Sequence, residues 1–170
     1  MRGEVLQLSS NVNVTSSKDS VEHHGCHILV ADFFEPHDFT YRAGNVHFDN
    51  VAVHNCSQHK MAHSGIAFVS ALKGTKVVTN SAFSHGLGKG ISVAGSANII
   101  LDGNVIHDFY NFGITGSAVD FTVNNNVVSF IKPTPHKGYN KWEQSNGGLI
   151  IGDLEDPSVL MTNNIVSSAW

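Results

Sequence analysis

Residues 81–107 read SAFSHGLGKGISVAGSANIILDGNVIH, and this stretch holds one full period of a repeat. Its opening element, Ser81-Ala-Phe-Ser-His85, returns as Asn104-Val-Ile-His107, with 22 residues from one histidine to the next. Between the two copies lie the step Gly90-Ile91 and the run Asn98-Ile-Ile-Leu101. Three short apolar strands and three turns within one period are typical of one coil of a parallel β-helix.

The same elements recur along the chain in the same order. The first element returns at 50–54, 126–129 and 164–167, and the glycine-aliphatic step returns at 65–66, 113–114 and 148–149. Leucine-rich repeats share this period but need a dense leucine ladder, whereas this chain has 9 Leu against 30 Val and Ile. Propeller blades need four strands and a longer period. We predict an all-β, right-handed parallel β-helix with coils of about 22–25 residues.

Composition narrows the classes of function. The chain has 170 residues, a net charge of −4, 41% hydrophobic and 14% charged residues, which suits a single folded segment and disfavours disorder. Its few basic residues form no run, so we expect no nucleic-acid partner. No stretch approaches 18 consecutive apolar residues, so we expect no membrane span within the chain, and residues 1–10 do not resemble a signal peptide.

Stacking of coils predicts which side chains are buried. Equivalent residues of successive coils lie at strand spacing, so inward aliphatic side chains form columns along the axis. The asparagine runs at 124–126 and 163–164 are predicted to share one corner, with their amides bonded to the coils above and below. The predicted core consists of Val53, Phe83, Ile91, Ile99, Leu101, Ile114, Phe121, Val123 and Leu149.

One segment interrupts the repeat. Residues 131–146 contain Pro133 and Pro135, which cannot donate to a strand ladder, and the basic side chains of Lys132, Lys137 and Lys141. We predict an insertion at one corner here, within a single β-helix segment that covers 1–170.

The eleven histidines raise the question of a metal site. Residues 23–27 read HHGCH, but in a strand His23, Cys26 and His27 cannot all point to one face, and His59 and His63 are not clearly on a helix. Surface or corner positions are therefore favoured, and we predict no metal and no cofactor.

Candidate acid and base residues are present but form no recognised motif. His54, His85 and His107 recur at similar coil positions, which favours a stacked structural ladder. Asp102, Asp108 and Asp120 could serve as acids in a polysaccharide-cleaving site, although a turn-capping role is the ordinary explanation for Asp102. We therefore assign no catalytic residue.

Several ordered motifs resemble the fibrocystin family. The opening Gly3-Glu4-Val5-Leu6-Gln7-Leu8-Ser9-Ser10-Asn11-Val12 is similar to that family's "GEV-x-LLTRN-I" stretch, and 25–30 (GCHILV) is similar to its "GGH-x-x-V" strand. Residues 51–58 (VAVHNCSQ) resemble its "VEFxHCGQ" segment, and 81–108 follow its successive coils. Cys26 replaces a glycine of that pattern, and the proline-rich loop does not match it.

The resemblance implies a function outside the cell. It indicates a fragment of a larger cell-surface ectodomain of a single-pass membrane protein, serving as a non-catalytic scaffold or receptor segment that binds an unknown extracellular protein or glycan. The alternative is a glycan-degrading enzyme like the hyaluronidase relatives of the family. We favour the scaffold because the sequence contains no paired-carboxylate signature.

An extracellular location would also bear on two kinds of modification. The sequons Asn13-Val-Thr15 and Asn55-Cys-Ser57 make Asn13 and Asn55 candidates for glycosylation, with Cys at the middle position weakening the second. Cys26 and Cys56 are 30 residues apart, about one enlarged coil, so stacking could bring them within disulfide reach. Two free, half-buried thiols are the competing interpretation.

Overall fold

The architecture was obtained from a computed structural model of the chain, which describes residues 12–16, 25–58, 63–133, 147–152 and 158–169. Its regular elements in these ranges are strands, and all but one of the strand pairings are parallel. The fold is the predicted all-β, right-handed parallel β-helix. The handedness agrees with the strong preference for right-handed crossovers between parallel strands.

The strands form three faces that run along the axis. The first face contains, in order, β1 (Val12–Thr15), β6 (Val51–His54), β9 (Ala82–Ser84), β11 (Val105–Tyr110), β13 (Val127–Lys132) and β16 (Ile165–Ala169). The second face contains β2 (Ile28–Val30), β7 (Ile66–Val69), the first halves of β10 (Ile91–Asp102) and β12 (Phe112–Asn124), and β14 (Gly147–Ile151). The third face contains β5 (Val46–Asp49), β8 (Lys76–Thr79), the second halves of β10 and β12, and β15 (Val159–Thr162).

Two glycines turn β10 and β12 from the second face to the third. Gly95 and Gly116 have φ values of +55° and +129°, which glycine adopts without a steric penalty. A Cβ on Gly116 would lie 1.9 Å from the carbonyl oxygen of Val93 in the coil below. In these two coils the glycine marks the corner, whereas Ser70, with φ of +50°, takes the equivalent position in the coil of β7.

The predicted core is confirmed. Eight of its nine members are 0% exposed, and Leu149 is partly buried against the same cluster. The register explains this result, because Val53, Phe83, Ile106 and Val128 stack as one inward column of the first face. Apolar side chains at this density are the main contribution to the stability of the solenoid.

A ladder of asparagines lines the corner between the third and first faces, as predicted. We use "asparagine ladder" for Asn104, Asn126 and Asn164, which stack in register. Asn126 Oδ1 accepts from the backbone N and from Nδ2 of Asn104, both at 3.0 Å, and Asn164 Oδ1 accepts from Asn126 N at 2.9 Å. Ser81 continues the column and donates its backbone N–H to Asn104 Oδ1 at 3.0 Å. The ladder supplies partners for backbone groups that the turns would otherwise bury without them.

A small hairpin, which the repeat does not predict, interrupts the first coil between its second and third faces. Strands β3 (Phe33–Glu35) and β4 (Thr40–Arg42) pair antiparallel between β2 and β5. The Asp32 carboxylate holds the base of the hairpin, accepting from the backbone N–H of Gly44 at 2.8 Å and from those of Leu72 and Lys73 at 2.9 Å each.

Two ionisable groups at this base have shifted pKa values. The hydrogen bond from the Gly44 N–H, with those from Lys73 and Leu72, lowers the pKa of Asp32 despite partial desolvation. Lys76 occupies an inward position between Val46 and Ile99 and is 0% exposed, and this burial lowers its pKa. Its Nζ donates to the carbonyl oxygens of Lys73 at 2.6 Å and Gly74 at 3.1 Å.

The corner insertion predicted at 131–146 begins after residue 132 in the structure. Ile131 and Lys132 belong to β13, and Ile131 is fully buried, so Lys132 is part of a coil rather than of a loop. Residues 134–146 lie outside the described residues. Within the described ranges, no helix is long and apolar enough to cross a membrane.

Candidate functional site

Polar side chains form a column on the outer side of the first face. Because Val53 points inward, the next residue, His54, points outward, and its register partners do the same. We call this set the His/Ser column: Thr15, His54, Ser84, His107, Ser129 and Ser167. It runs along the axis, one side chain per coil.

Hydrogen bonds between coils fix the histidines of this column. His54 Nδ1 lies 2.6 Å from Ser84 Oγ, and His107 Nδ1 lies 2.9 Å from Ser129 Oγ. His85 occupies the next position along the chain, where its Nδ1 lies 3.1 Å from Ser84 Oγ. The predicted ladder of His54, His85 and His107 is thus only partly formed: His54 and His107 are aligned with Ser84 between them, and His85 lies beside this column.

The position after the column is a tight corner in each coil. Its residues, the corner column, are Asn55, His85, Asp108, Phe130 and Ser168, with φ values between +51° and +61°. Such left-handed conformations are uncommon for side chains of this size and turn the strand sharply. The corner therefore presents its side chains at the edge between the first and second faces.

At this corner, Lys132 contacts both the carboxylate of Asp108 and two aromatic rings. Lys132 Nζ pairs with Asp108 Oδ1, and it lies 5.1 Å from the ring centroid of Tyr110 and 4.9 Å from that of Phe130. The ring of Phe130 stacks at 5.8 Å on His107. Asp108 and His107 are candidates from the sequence, whereas Lys132 and Phe130 emerge as their neighbours only from the structure. The 22-residue spacing from Tyr110 to Lys132 is the signal that could have found them.

The three candidate acids lie at three different places in the coil. Asp102 ends a strand of the third face and accepts from the Nδ2 atoms of Asn124 at 3.3 Å and Asn125 at 3.0 Å. Asp120 is exposed at the start of the third face, and Asp108 is at the corner after the first. These carboxylates therefore do not face one another as the acid and nucleophile of a glycosidase must.

The two cysteines come together in the structure. Cys26 and Cys56 form an isolated parallel bridge with a Cα–Cα distance of 4.2 Å, and their sulfur atoms are joined as a disulfide. Cys56 is fully buried. The stacking of residues one coil apart, on which the expected pairing depends, is present here, and the redox state of the pair in the folded protein stays a prediction.

The sequons differ in their surroundings. Asn13 and Thr15 are exposed on β1. Asn55 is exposed at a corner with φ of +53°, whereas the hydroxyl of Ser57 is buried and accepts from Gly88 N at 2.8 Å. Glycosylation at either position stays a prediction.

Metal ligands are sparse in the described part of the chain. His27 and His63 bring their rings within 4.6 Å, and His27 Nδ1 is bonded to the carbonyl oxygen of Ser64 at 2.7 Å. Within the residues that the structure describes, no three side chains of His, Cys, Asp or Glu converge on a point that could hold a metal ion. His23, His24 and His59 lie outside the described residues.

Comparison with known proteins identifies the family. No curated protein and no solved structure matches the chain. The family model of NosD, described as a periplasmic copper-binding protein, matches residues 4–170. This family is one of parallel β-helices, in agreement with the three parallel faces, whereas the resemblance to fibrocystin is not confirmed. The chain belongs to the NosD family.

Proposed function

We propose that this chain is a non-catalytic β-helix scaffold that works outside the cytoplasm and binds a protein or glycan partner on its outer surface. The observation that supports this proposal is the His/Ser column, whose polar side chains are held in place by bonds between coils. Polar groups that are already oriented lose little conformational freedom when a ligand binds. The location outside the cytoplasm is supported by the family match and agrees with the fibrocystin-like cell-surface assignment, which remains part of the proposal.

The corner beside the column supports binding rather than hydrolysis. The carboxylate of Asp108 forms an ion pair with Lys132, and the Nζ of Lys132 lies over the rings of Tyr110 and Phe130. An acid or base in catalysis must be free to exchange a proton with the substrate. An aromatic ring beside fixed polar groups is instead a common way to hold a ligand.

The family description names copper, but we propose no copper site among the described residues. Copper prefers several imidazole or sulfur ligands. In the described ranges His27 and His63 form a pair without a third ligand, and the sulfur atoms of Cys26 and Cys56 are bonded to each other. The described residues therefore do not by themselves make up a copper ligand set, and we derive no chemistry through a metal.

Incubation with high-molecular-mass hyaluronan separates the scaffold from a hyaluronidase. We expect the polymer length on a gel to stay unchanged with and without Ca²⁺, and any time-dependent shortening would overturn the non-catalytic assignment. In parallel, the chain is applied to an array of neutral and anionic oligosaccharides. If binding occurs through the column, His107→Ala weakens it, whereas Ile100→Ala on the third face leaves it unchanged.

A further inference from the structure

The hairpin β3–β4 exposes four aromatic rings. Phe33, Phe34, Phe39 and Tyr41 are 54%, 43%, 81% and 68% exposed. Phe34 and Tyr41 are direct cross-strand partners. Phe68, Phe83, Phe109 and Phe121 are fully buried and Phe130 is 42% exposed at a corner, whereas the hairpin gathers four exposed rings that gain little from burial. This group of exposed rings therefore requires an explanation other than packing.

The rings form an ordered group. The ring centroids of Phe34 and Tyr41 are 5.2 Å apart, and those of Phe34 and Phe39 are 6.3 Å apart. Lys73, on the neighbouring coil, places its Nζ 5.4 Å from the Tyr41 centroid. With Asp32 holding the base of the hairpin, the group is fixed relative to the helix before any ligand arrives.

Of the four aromatic residues, Phe39 most clearly destabilises the folded state. It has φ of +53° at the hairpin turn, a conformation that glycine or asparagine adopts more readily than a bulky side chain. It is also the most exposed of the four rings. Strained backbone at an exposed position is retained where the surrounding structure uses it, often to bind a ligand.

Polar groups with balanced charge surround the rings. Arg42 pairs with Asp38 at 2.6 Å, and Thr40 Oγ1 donates to the same carboxylate at 2.6 Å. Glu35 and Asp38 are matched by Arg42 and Lys73, so the surface carries no net charge of the kind that attracts a charged polymer. A neutral ligand with many hydroxyl groups can exchange hydrogen bonds with this Asp-Arg-Thr group.

We propose that the hairpin at 33–42 is a binding site for a neutral oligosaccharide. The C–H faces of a sugar ring carry the slightly positive hydrogens that the negative faces of aromatic rings attract, while its hydroxyls reach Asp38 and Arg42. This proposal rests on the proposed scaffold function and places a glycan partner on the hairpin, a site separate from the His/Ser column.

The size and charge of the hairpin favour this occupant over two others. A stable protein interface needs about 20–30 residues from each partner, and the hairpin offers ten. Attachment to an anionic membrane surface needs an excess of basic residues, and here Glu35 and Asp38 are balanced by Arg42 only when Lys73 of the neighbouring coil is included.

Calorimetric titration of the whole chain with cellohexaose, mannohexaose and chitohexaose tests the proposal. We expect saturable binding of at least one of them, weakened at least tenfold by Tyr41→Ala and by Phe39→Gly. Glycine relieves the strain at position 39, so the Phe39→Gly variant should melt at the same temperature as the parent chain or higher while binding less. Ile100→Ala, which removes an exposed apolar side chain on the third face, should keep full affinity.

The other outcomes overturn the proposal. They are no binding of any of the three hexasaccharides, equal binding by the parent chain and both hairpin variants, or Phe39-dependent attachment to phosphatidylcholine vesicles without hexasaccharide binding. Equal binding by the variants would leave the scaffold function intact and move the glycan site elsewhere, whereas shortening of hyaluronan would remove the scaffold function itself.

Discussion

Replacement of the buried Asn126 by alanine should destabilise the protein more than replacement of an asparagine at an exposed turn. Asn126 is fully buried, and its Nδ2 donates to the carbonyl oxygen of Leu101 and to Asn164 Oδ1, each at 3.0 Å. Its Oδ1 accepts from the backbone N–H of Asn104. Alanine removes all of these bonds and leaves a void in their place.

The magnitude follows from the groups that lose their partners. The Asn104 N–H loses its acceptor and the Leu101 carbonyl loses a donor, and a buried polar group left unpaired costs about 1–3 kcal/mol. The Nδ2 of Asn104 keeps the carbonyl oxygen of Val78 at 2.8 Å, so it contributes little to the loss. We therefore expect the free energy of unfolding to fall by about 2–5 kcal/mol, a large part of the total for a domain.

Urea denaturation followed by circular dichroism measures this change. The control is Asn163→Gly, because Asn163 is exposed with φ of +53°, which glycine tolerates. We expect the control to lose less than about 1 kcal/mol. A loss below about 1 kcal/mol for Asn126→Ala as well would show that the ladder does not supply the bonds on which this reasoning depends.

Three further predictions concern the core, the hairpin base and the cysteines. Ile114→Asp places a carboxylate at a 0% exposed position and should cost several kcal/mol, so a soluble, cooperatively folded variant would contradict the core assignment. The lowered pKa of Asp32 means that its stabilisation is complete above its unfolded pKa of about 4 and is lost as the pH falls through the lower folded pKa. Between about pH 5 and pH 2.5, the melting temperature of the Asp32→Asn variant should therefore fall less than that of the parent chain. An equal fall in both proteins would exclude this role for Asp32. Mass spectrometry after alkylation without reductant should find no free thiol at Cys26 or Cys56, and two alkylated cysteines would rule out the disulfide.

The parts of the fold that repeat could be predicted, and the parts that occur once could not. Inward residues such as Phe83 and Ile106 can be recognised from the sequence because the same position is apolar in each coil. Lys76 stands in an inward column where apolar residues are expected, and only its contacts with the carbonyls of Lys73 and Gly74 explain its burial. The run Phe33-Phe34-Glu35-Pro36 has strand-like residues before a turn, but no second copy exists to reveal that its rings face outward.

The candidate site was predictable to a similar extent. Its histidines could be placed only approximately by their period, because His107 is in register with Ser84, and His85, 22 residues before His107, lies one position further along in the corner column. The partners of Asp108 could not be found in this way, because Pro133 and Pro135 predict a loop from residue 131, whereas Ile131 and Lys132 belong to β13. Side chains that meet around a corner depend on the corner geometry, which the period alone does not give.

The asparagine ladder also bears on how such a chain can change in length during evolution. Each member bonds only to the coils directly above and below it, so the unit that closes its hydrogen bonds is one whole coil, with 22 residues from Asn104 to Asn126 and 38 from Asn126 to Asn164. Duplication of the segment from Asn104 to Asn125 would place a new asparagine on the old one and preserve the bonds on both sides. A deletion or duplication of half a coil would instead place a strand against a turn. Members of this family are thus expected to differ in length by whole coils, because only whole coils preserve the hydrogen bonds of the asparagine ladder.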